Sequence, residues 1–264
     1  MHRYTTTTFC YGPKYTPILP LFLERIKNKC KNSDIKIHDK CNVKLKNGFS
    51  YAWWDVVRLH NNMELLMQSG KPVVHVDIDL IIEKDIEPLV ILNYDLIISK
   101  EIGFENAFPK ECSNILGFGI CSGFYVLKTT ALAFLLKMYN SMSKQTYGTY
   151  SDQVTIMNYI VQNKYTVRDE EIIIGDITYT NKIITIDNIR ICVLDFNIIT
   201  RDPIINNGQF GNHINIDNVG GTANFLHYYN HDLESLPLTC RCGKTHLGDN
   251  SICPHIAIKR DHSD

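Results

Sequence analysis

Residues 72–85, PVVHVDIDLIIEKD, end a run of β-branched residues on two carboxylates. Val73, Val74, Val76 and Ile78 have the character of a buried strand, and Asp77 and Asp79 interrupt it. Side chains two apart on an ideal strand point to one face, so the spacing predicts that both carboxylates converge at the strand's carboxyl end. Two such charges repel, and burial raises the cost. A divalent cation relieves the repulsion. Hard oxygen ligands suit Mg²⁺ or Mn²⁺, which also bind the phosphates of a substrate. Taken alone, a D-x-D is common and weak, and it favours a second outcome, in which Asp79 caps a turn and Asp77 is solvated.

The surroundings predict an α/β chain. TTTTFC (5–10), IKIH (35–38) and YDLIIS (94–99) read as strands. Residues 17–30 and 51–70 have helical apolar spacing, and Gly70 supplies a C-cap for the second of these helices. GICSGFYVLK (119–128) reads as a strand, TTALAFLLKMYNSM and SDQVTIMNYIVQ as helices. The last third carries the short strands EIIIG, KIITID, IRICVLD and TANFLHYY. Early alternation of strand and helix predicts a parallel, two-sided sheet, whose ligands sit beyond the carboxyl ends of its strands. Asp77 and Asp79 lie at such an end. With no internal repeat or low-complexity linker in 264 residues, a single domain is expected over 1–236. A tail of different character follows at 237–264.

A formal net charge of -1 gives no footprint for nucleic acid. No uninterrupted apolar run reaches the length of a membrane span, and MHRYTTTTFCYGP lacks the apolar core of a signal peptide, so a cytoplasmic location is expected. Nine cysteines, an odd number, then imply reduced thiols. The C-terminal stretch TCRCGKTHLGDNSICPH is the exception: Cys240, Cys242, Cys253 and His255, with His246 beside them, offer the ligands of a structural zinc. Its first pair is C-x-C rather than the usual C-x₂₋₄-C, so a reduced cysteine-rich tail is the competing reading.

HVDIDLIIEKDIEPLV (75–90) resembles the segment around the DxD of GT-A nucleotide-sugar glycosyltransferases, of the glycogenin and lipopolysaccharide-galactosyltransferase type and the related nucleotide-diphospho-sugar transferase group. Three further segments match in order. GICSGFYVLK is similar to the strand that carries Asn-Ser-Gly or Asn-Thr-Gly, TYSDQVTIMNYI (149–160) to the Asp-Gln helix with a following asparagine, here Asn158, and ANFLHYYN (223–230) to the segment bearing a histidine ligand. Arg58 stands upstream of the DxD at about the place of a basic donor-binding residue. The likeness covers most of residues 5–230.

The resemblance implies a GT-A fold, a single α/β domain with a mixed, mostly parallel central sheet. It implies a hexosyltransferase that moves a sugar from a nucleoside-diphosphate donor, UDP-linked, to a hydroxyl of a glycan or protein acceptor, with retention. Asp77, Asp79 and His227 would hold Mn²⁺ or Mg²⁺; an imidazole ligand favours Mn²⁺. Tyr11, Arg58, Asp77, Ser122 and Gly123 would bind the donor. Asp152 and Gln153 would line the donor sugar, with Asp152 a nucleophile or an anionic support for an oxocarbenium-like state. Bland alternatives stand beside several of these: a turn tyrosine, a solvated helix arginine, a strand irregularity at Ser122–Gly123, a helix-dipole carboxylate at Asp152 and a core histidine at His227.

The sequence also departs from the pattern. Cys121 replaces the asparagine before Ser122, and YYNHDLES after His227 lacks the glycine and lysine that support the leaving diphosphate. The metal, Arg58, or a basic group from elsewhere such as Arg201 or Lys244 would have to balance that charge. Two rival functions follow, a sugar-nucleotide-binding protein with weak or no transfer, and a metal-dependent nucleotidyltransferase or phosphohydrolase built on Asp77 and Asp79.

Overall fold

The computed structural model describes residues 3–10, 15–38, 51–101, 109–142, 151–200, 208–213, 238–239 and 245–246. Eight strands form its main sheet: β1 (Tyr4–Phe9), β2 (Ser33–His38), β3 (Val73–Val76), β5 (Leu96–Glu101), β6 (Gly119–Leu127), β7 (Tyr165–Ile174), β8 (Ile177–Ile186) and β9 (Ile189–Leu194). A second, three-stranded sheet holds β4 (Leu80–Ile82), β10 (Ile199–Thr200) and β11 (Gly211–His213). The helices are α1 (Leu19–Lys29), α2 (Tyr51–Ser69), α3 (Glu87–Val90), α4 (Lys110–Leu116), α5 (Leu132–Met142) and α6 (Ser151–Gln162). A short hairpin, β12 (Leu238–Thr239) with β13 (Thr245–His246), is described in the tail.

The main sheet runs β2-β1-β3-β6-β5-β9-β8-β7. β1 is parallel to β2 and β3, and β5 to β9, whereas β6 opposes both β3 and β5, and β8 opposes both β9 and β7. Six of the eight strands therefore point one way, so the sheet is mixed and mostly parallel, as expected. Helices cover both faces because strand side chains alternate. Val74, Val76, Ile97, Phe124 and Leu194 pack with Phe22 and Ile26 of α1 on one face. Val73, Ile98, Tyr125, Ile184 and Val193 pack on the other with Leu59 and Met63 of α2, Phe134 of α5 and Met157 of α6. Each such side chain removed from water contributes about 1.5–3 kcal/mol. α1 starts beside a proline, and α2 stops where Gly70 takes φ +64° and returns its N–H to the Leu66 carbonyl at 3.0 Å. Among the described residues no helix is long and apolar enough to cross a membrane.

Two irregularities position the site. β3 stops at Val76, and residues 77–79 turn, closed by a Leu80 N–H to Asp77 carbonyl bond of 2.9 Å, so that β4 leaves the main sheet. The two carboxylates thus sit in a turn, and strand alternation is not what brings them together. The second irregularity is in β6. Ile98 of β5 pairs with Tyr125, but the next residue, Ser99, pairs with Cys121. Residues 122–124 form a bulge toward β5, and a bulge re-aims side chains. The Ser99 hydroxyl donates to the Cys121 carbonyl at 2.8 Å and lies 3.4 Å from that of Phe124. Ser99→Ala should cost about 1 kcal/mol of unfolding free energy, the net worth of one such hydrogen bond, read by urea titration.

Candidate metal and donor site

Asp77 and Asp79 occupy the turn after β3. The third corner comes from β11, which pairs antiparallel with β4 so that His213 stands opposite Leu80. One ligand atom from each of Asp77, Asp79 and His213 can be chosen with all three within 4.8 Å of one another. His213 Nε2 lies 3.0 Å from Asp79 Oδ1 and 3.5 Å from Asp77 Oδ2. Yet among the described residues neither ring nitrogen of this buried histidine makes an aligned hydrogen bond. A buried polar atom without a partner is costly unless something else meets it. Two carboxylates and an imidazole facing a common point fit a divalent transition-metal ion. Gly123 makes room for them: a Cβ there would stand 3.0 Å from Asp77 Oδ2 and 3.2 Å from His213 Nε2.

On the α2 side, Arg58 is buried beneath the turn. Its Nη1 donates to Asp77 Oδ1 at 3.2 Å, and its Nη2 contacts Asp55 Oδ1 at 3.1 Å, Ser122 Oγ at 3.1 Å and Asp152 Oδ2. Asp152, at the start of α6, also accepts from Ser122 Oγ at 3.0 Å and from the Gln153 N–H at 2.8 Å. Among the described residues, four carboxylates (Asp55, Asp77, Asp79, Asp152) thus share one guanidinium and the imidazoles of His213 and His75. Burial would raise Asp77, but contact with His213 and His75 and the charge of Arg58 outweigh it and hold the carboxyl well below the usual carboxylate range. Burial would push His213 toward its neutral form, but Asp79 and Asp77 prevail and hold it well above the ordinary histidine value. The charge left over is negative, which a cation would balance.

The structure brings together Arg58, Asp77, Asp79, Ser122, Gly123, Asp152 and Gln153. Ser122 and Gly123 prove to be both the strand irregularity and part of the cluster, because the bulge itself turns them toward Asp77 and Asp152. Arg58 is no solvated helix residue, and two of its nitrogens are committed to carboxylates. Asn158 stands apart, accepting from Cys112 Sγ at 3.1 Å. Tyr11 and His227 lie outside the described residues, as do Arg201, Lys244, Cys240, Cys242, Cys253 and His255. Sequence reasoning passed over Asp55, His75 and His213. QFGNHINI gives His213 only a weak local signal, a polar residue in a short strand pattern, because its partners stand far off along the chain. Cys30, Cys112 and Cys192 are buried thiols without a disulfide. Burial, above all, pushes Cys30 and Cys192 up to about 12, so neither is a nucleophile at neutral pH.

A pH dependence follows from these charges. In the metal-free protein the raised His213 contributes stability below its ordinary value, and the contribution is lost as pH rises through its folded value. A ligating imidazole must be unprotonated, so a cation taken up between Asp77, Asp79 and His213 would expel this proton, and its affinity would rise with pH. Calorimetric Mn²⁺ titrations in buffers of different ionisation enthalpy should show proton release near neutral pH.

No protein-family model and no curated protein sequence matches the chain. Solved structures do. A glycosyltransferase involved in the glycosylation of the major capsid of PBCV-1 matches at 13% identity and TM-score 0.43, over 59% of this chain and 75% of that one. The galactosyltransferase LgtC, in complex with donor and acceptor sugar analogues, matches at 12% and 0.41, over 58% and 70%. The apo-form glycosyltransferase GlyE of Streptococcus pneumoniae TIGR4 matches at 11% and 0.38, over 61% and 44%. Each of these three structures is of a glycosyltransferase.

Proposed function

We propose that the chain is a GT-A glycosyltransferase that binds a nucleoside-diphosphate sugar, UDP-linked, and transfers the sugar to an acceptor hydroxyl. The observation that carries this reading is the Asp77–Asp79–His213 cluster at the carboxyl end of β3, three ligand atoms within 4.8 Å of one another. The ordered sequence likeness around residues 75–90, 119–128 and 149–160 supports it. These three side chains would hold Mn²⁺. When bound, the ion supplies Lewis-acid charge to the departing diphosphate.

The chain's own residues have distinct parts. Arg58 holds Asp77 and Asp152 in place and brings positive charge close to the diphosphate's position. Gly123, having no side chain, leaves the room in which Asp77 and His213 face each other. Asp152 presents a carboxylate from the start of α6, and its charge is most useful when positive charge develops at the anomeric carbon, consistent with retention. A second reading, nucleotide-sugar binding without efficient transfer, is favoured by one observation: Asp152 is already engaged by Arg58 and Ser122.

Asp79→Ala should abolish Mn²⁺-dependent UDP binding with little loss of fold, because it removes a ligand and not a core side chain. His213→Ala and His227→Ala separate the two histidine assignments. Loss of metal-dependent UDP binding in the first alone assigns the ligand to β11. Calorimetry in which Asp79→Ala still binds UDP and Mn²⁺ like the parent would rule the metal reading out.

Asp152→Asn isolates the electrostatic contribution. If Asp152 acts chiefly in the transition state, turnover should fall by about two orders of magnitude or more while donor affinity holds. Donor turnover, with a panel of UDP- and GDP-sugars and Mn²⁺, is measured beside UDP affinity and thermal melting. Unchanged turnover would leave Asp152 as a partner for Arg58 only.

A further inference from the structure

His75 is fully buried on β3, two residues before Asp77, and faces the α2 side of the sheet. A histidine inside an apolar strand needs partners for both ring nitrogens. Register supplies them from both neighbouring strands. β1 places Thr7 beside His75, and β6 places Tyr125 on its other flank. The Tyr125 ring packs on the imidazole with centroids 4.9 Å apart, and its hydroxyl is fixed by Asn62 Nδ2 at 2.8 Å. His75 Nε2 lies 2.8 Å from Asp77 Oδ1, and Nδ1 lies 3.5 Å from Thr7 Oγ1.

The two oxygens of Asp77 are treated differently. Oδ1 receives both His75 Nε2 and Arg58 Nη1, whereas Oδ2 faces His213 and Gly123. We propose that His75 is a positioning residue for Asp77: its Nε2–H holds Oδ1 so that Oδ2 is presented to a divalent cation shared with Asp79 and His213. The proposal rests on the metal reading above. A carboxylate only accepts, so the proton of a neutral imidazole belongs on Nε2. Nδ1 is then an acceptor, and the Thr7 hydroxyl is the donor that meets it. The same hydroxyl lies 3.3 Å from the Val74 carbonyl and is shared between the two. Thr7, His75 and Asp77 form a chain of three hydrogen-bonding groups across adjacent strands, ending at a metal ligand. Partners of this kind orient ligands, and their loss typically costs about 10–100-fold in metal affinity.

The test reads Mn²⁺ binding directly, by loss of the free-ion EPR signal on titration of the full-length protein without nucleotide. His75→Phe keeps the ring against Tyr125 and removes the donor; affinity should fall about 10–100-fold with secondary structure unchanged by circular dichroism. His75→Gln, whose amide can donate to Oδ1, should recover most of that loss. In the parent, ¹⁵N-histidine NMR should place the His75 proton on Nε2, and Thr7→Val should weaken Mn²⁺ binding and perturb that signal. Should His75→Phe fail to fold, the Gln and Thr7→Val variants and the NMR assignment carry the decision. Parent-like affinity in a folded His75→Phe, or a ring protonated on Nδ1 alone, overturns the role of His75. A parent that binds no Mn²⁺ overturns the metal reading instead.

Discussion

Asp77 carries a negative charge at the edge of a hydrophobic sheet, and much of the neighbourhood is arranged around the cost of keeping it there. Its Oδ1 is held from below by His75 and from α2 by Arg58, while its backbone N–H is tied to the Gly123 carbonyl at 2.8 Å. Removing the partners of a half-buried carboxylate exposes the desolvation penalty that they offset. The carboxylate can stay ionised because two donors and a guanidinium oppose the burial that would protonate it. It can still serve as a ligand because His75 and Arg58 both act on Oδ1 and leave Oδ2 on the side of His213.

The compensation is incomplete. Arg58 answers three carboxylates, Asp55, Asp77 and Asp152, and among the described residues Asp79 pairs with His213. A chain selected for stability alone would remove some of these charges, since crowded buried ions are at best neutral for folding. Keeping them makes sense if a cation completes the balance during function. The bulge in β6 belongs to the same economy of space. By adding residues 122–124 it turns Ser122 toward Arg58 and Asp152 and leaves a side-chain-free position, Gly123, where a Cβ would crowd Asp77 and His213.

Strand β6 also explains how one site gathers residues from distant segments. It runs against its neighbours β3 and β5, so its beginning lies beside the carboxyl ends of both. Ser122 and Gly123 therefore meet Asp77 at the edge where α/β sheets bind ligands. The second sheet closes the other side: β4 continues directly from the turn, and β11 returns to pair with it, bringing His213 within reach of both carboxylates.

By itself the sequence determined most of the described strands and helices, the two-sided sheet, and a carboxylate pair at the end of β3. These were legible because they rest on local physics: β-branched runs, apolar spacing, a C-cap glycine, and carboxylates set where a strand must end. That Arg58, Ser122, Gly123 and Asp152 belong near Asp77 and Asp79 was implied only by the ordered resemblance of their segments to those of GT-A glycosyltransferases. What only the tertiary structure decided was how the carboxylates converge and what meets them. They converge through a turn because β3 stops at Val76 and hydrogen bonding pulls the chain into another sheet. His213 and His75 acquire their roles from strand pairing. One is placed by β11 against β4, the other between Thr7 and Tyr125. Pairing between segments far apart in the chain depends on loop closure and the packing of whole faces, and neither leaves a mark in the few residues around a histidine.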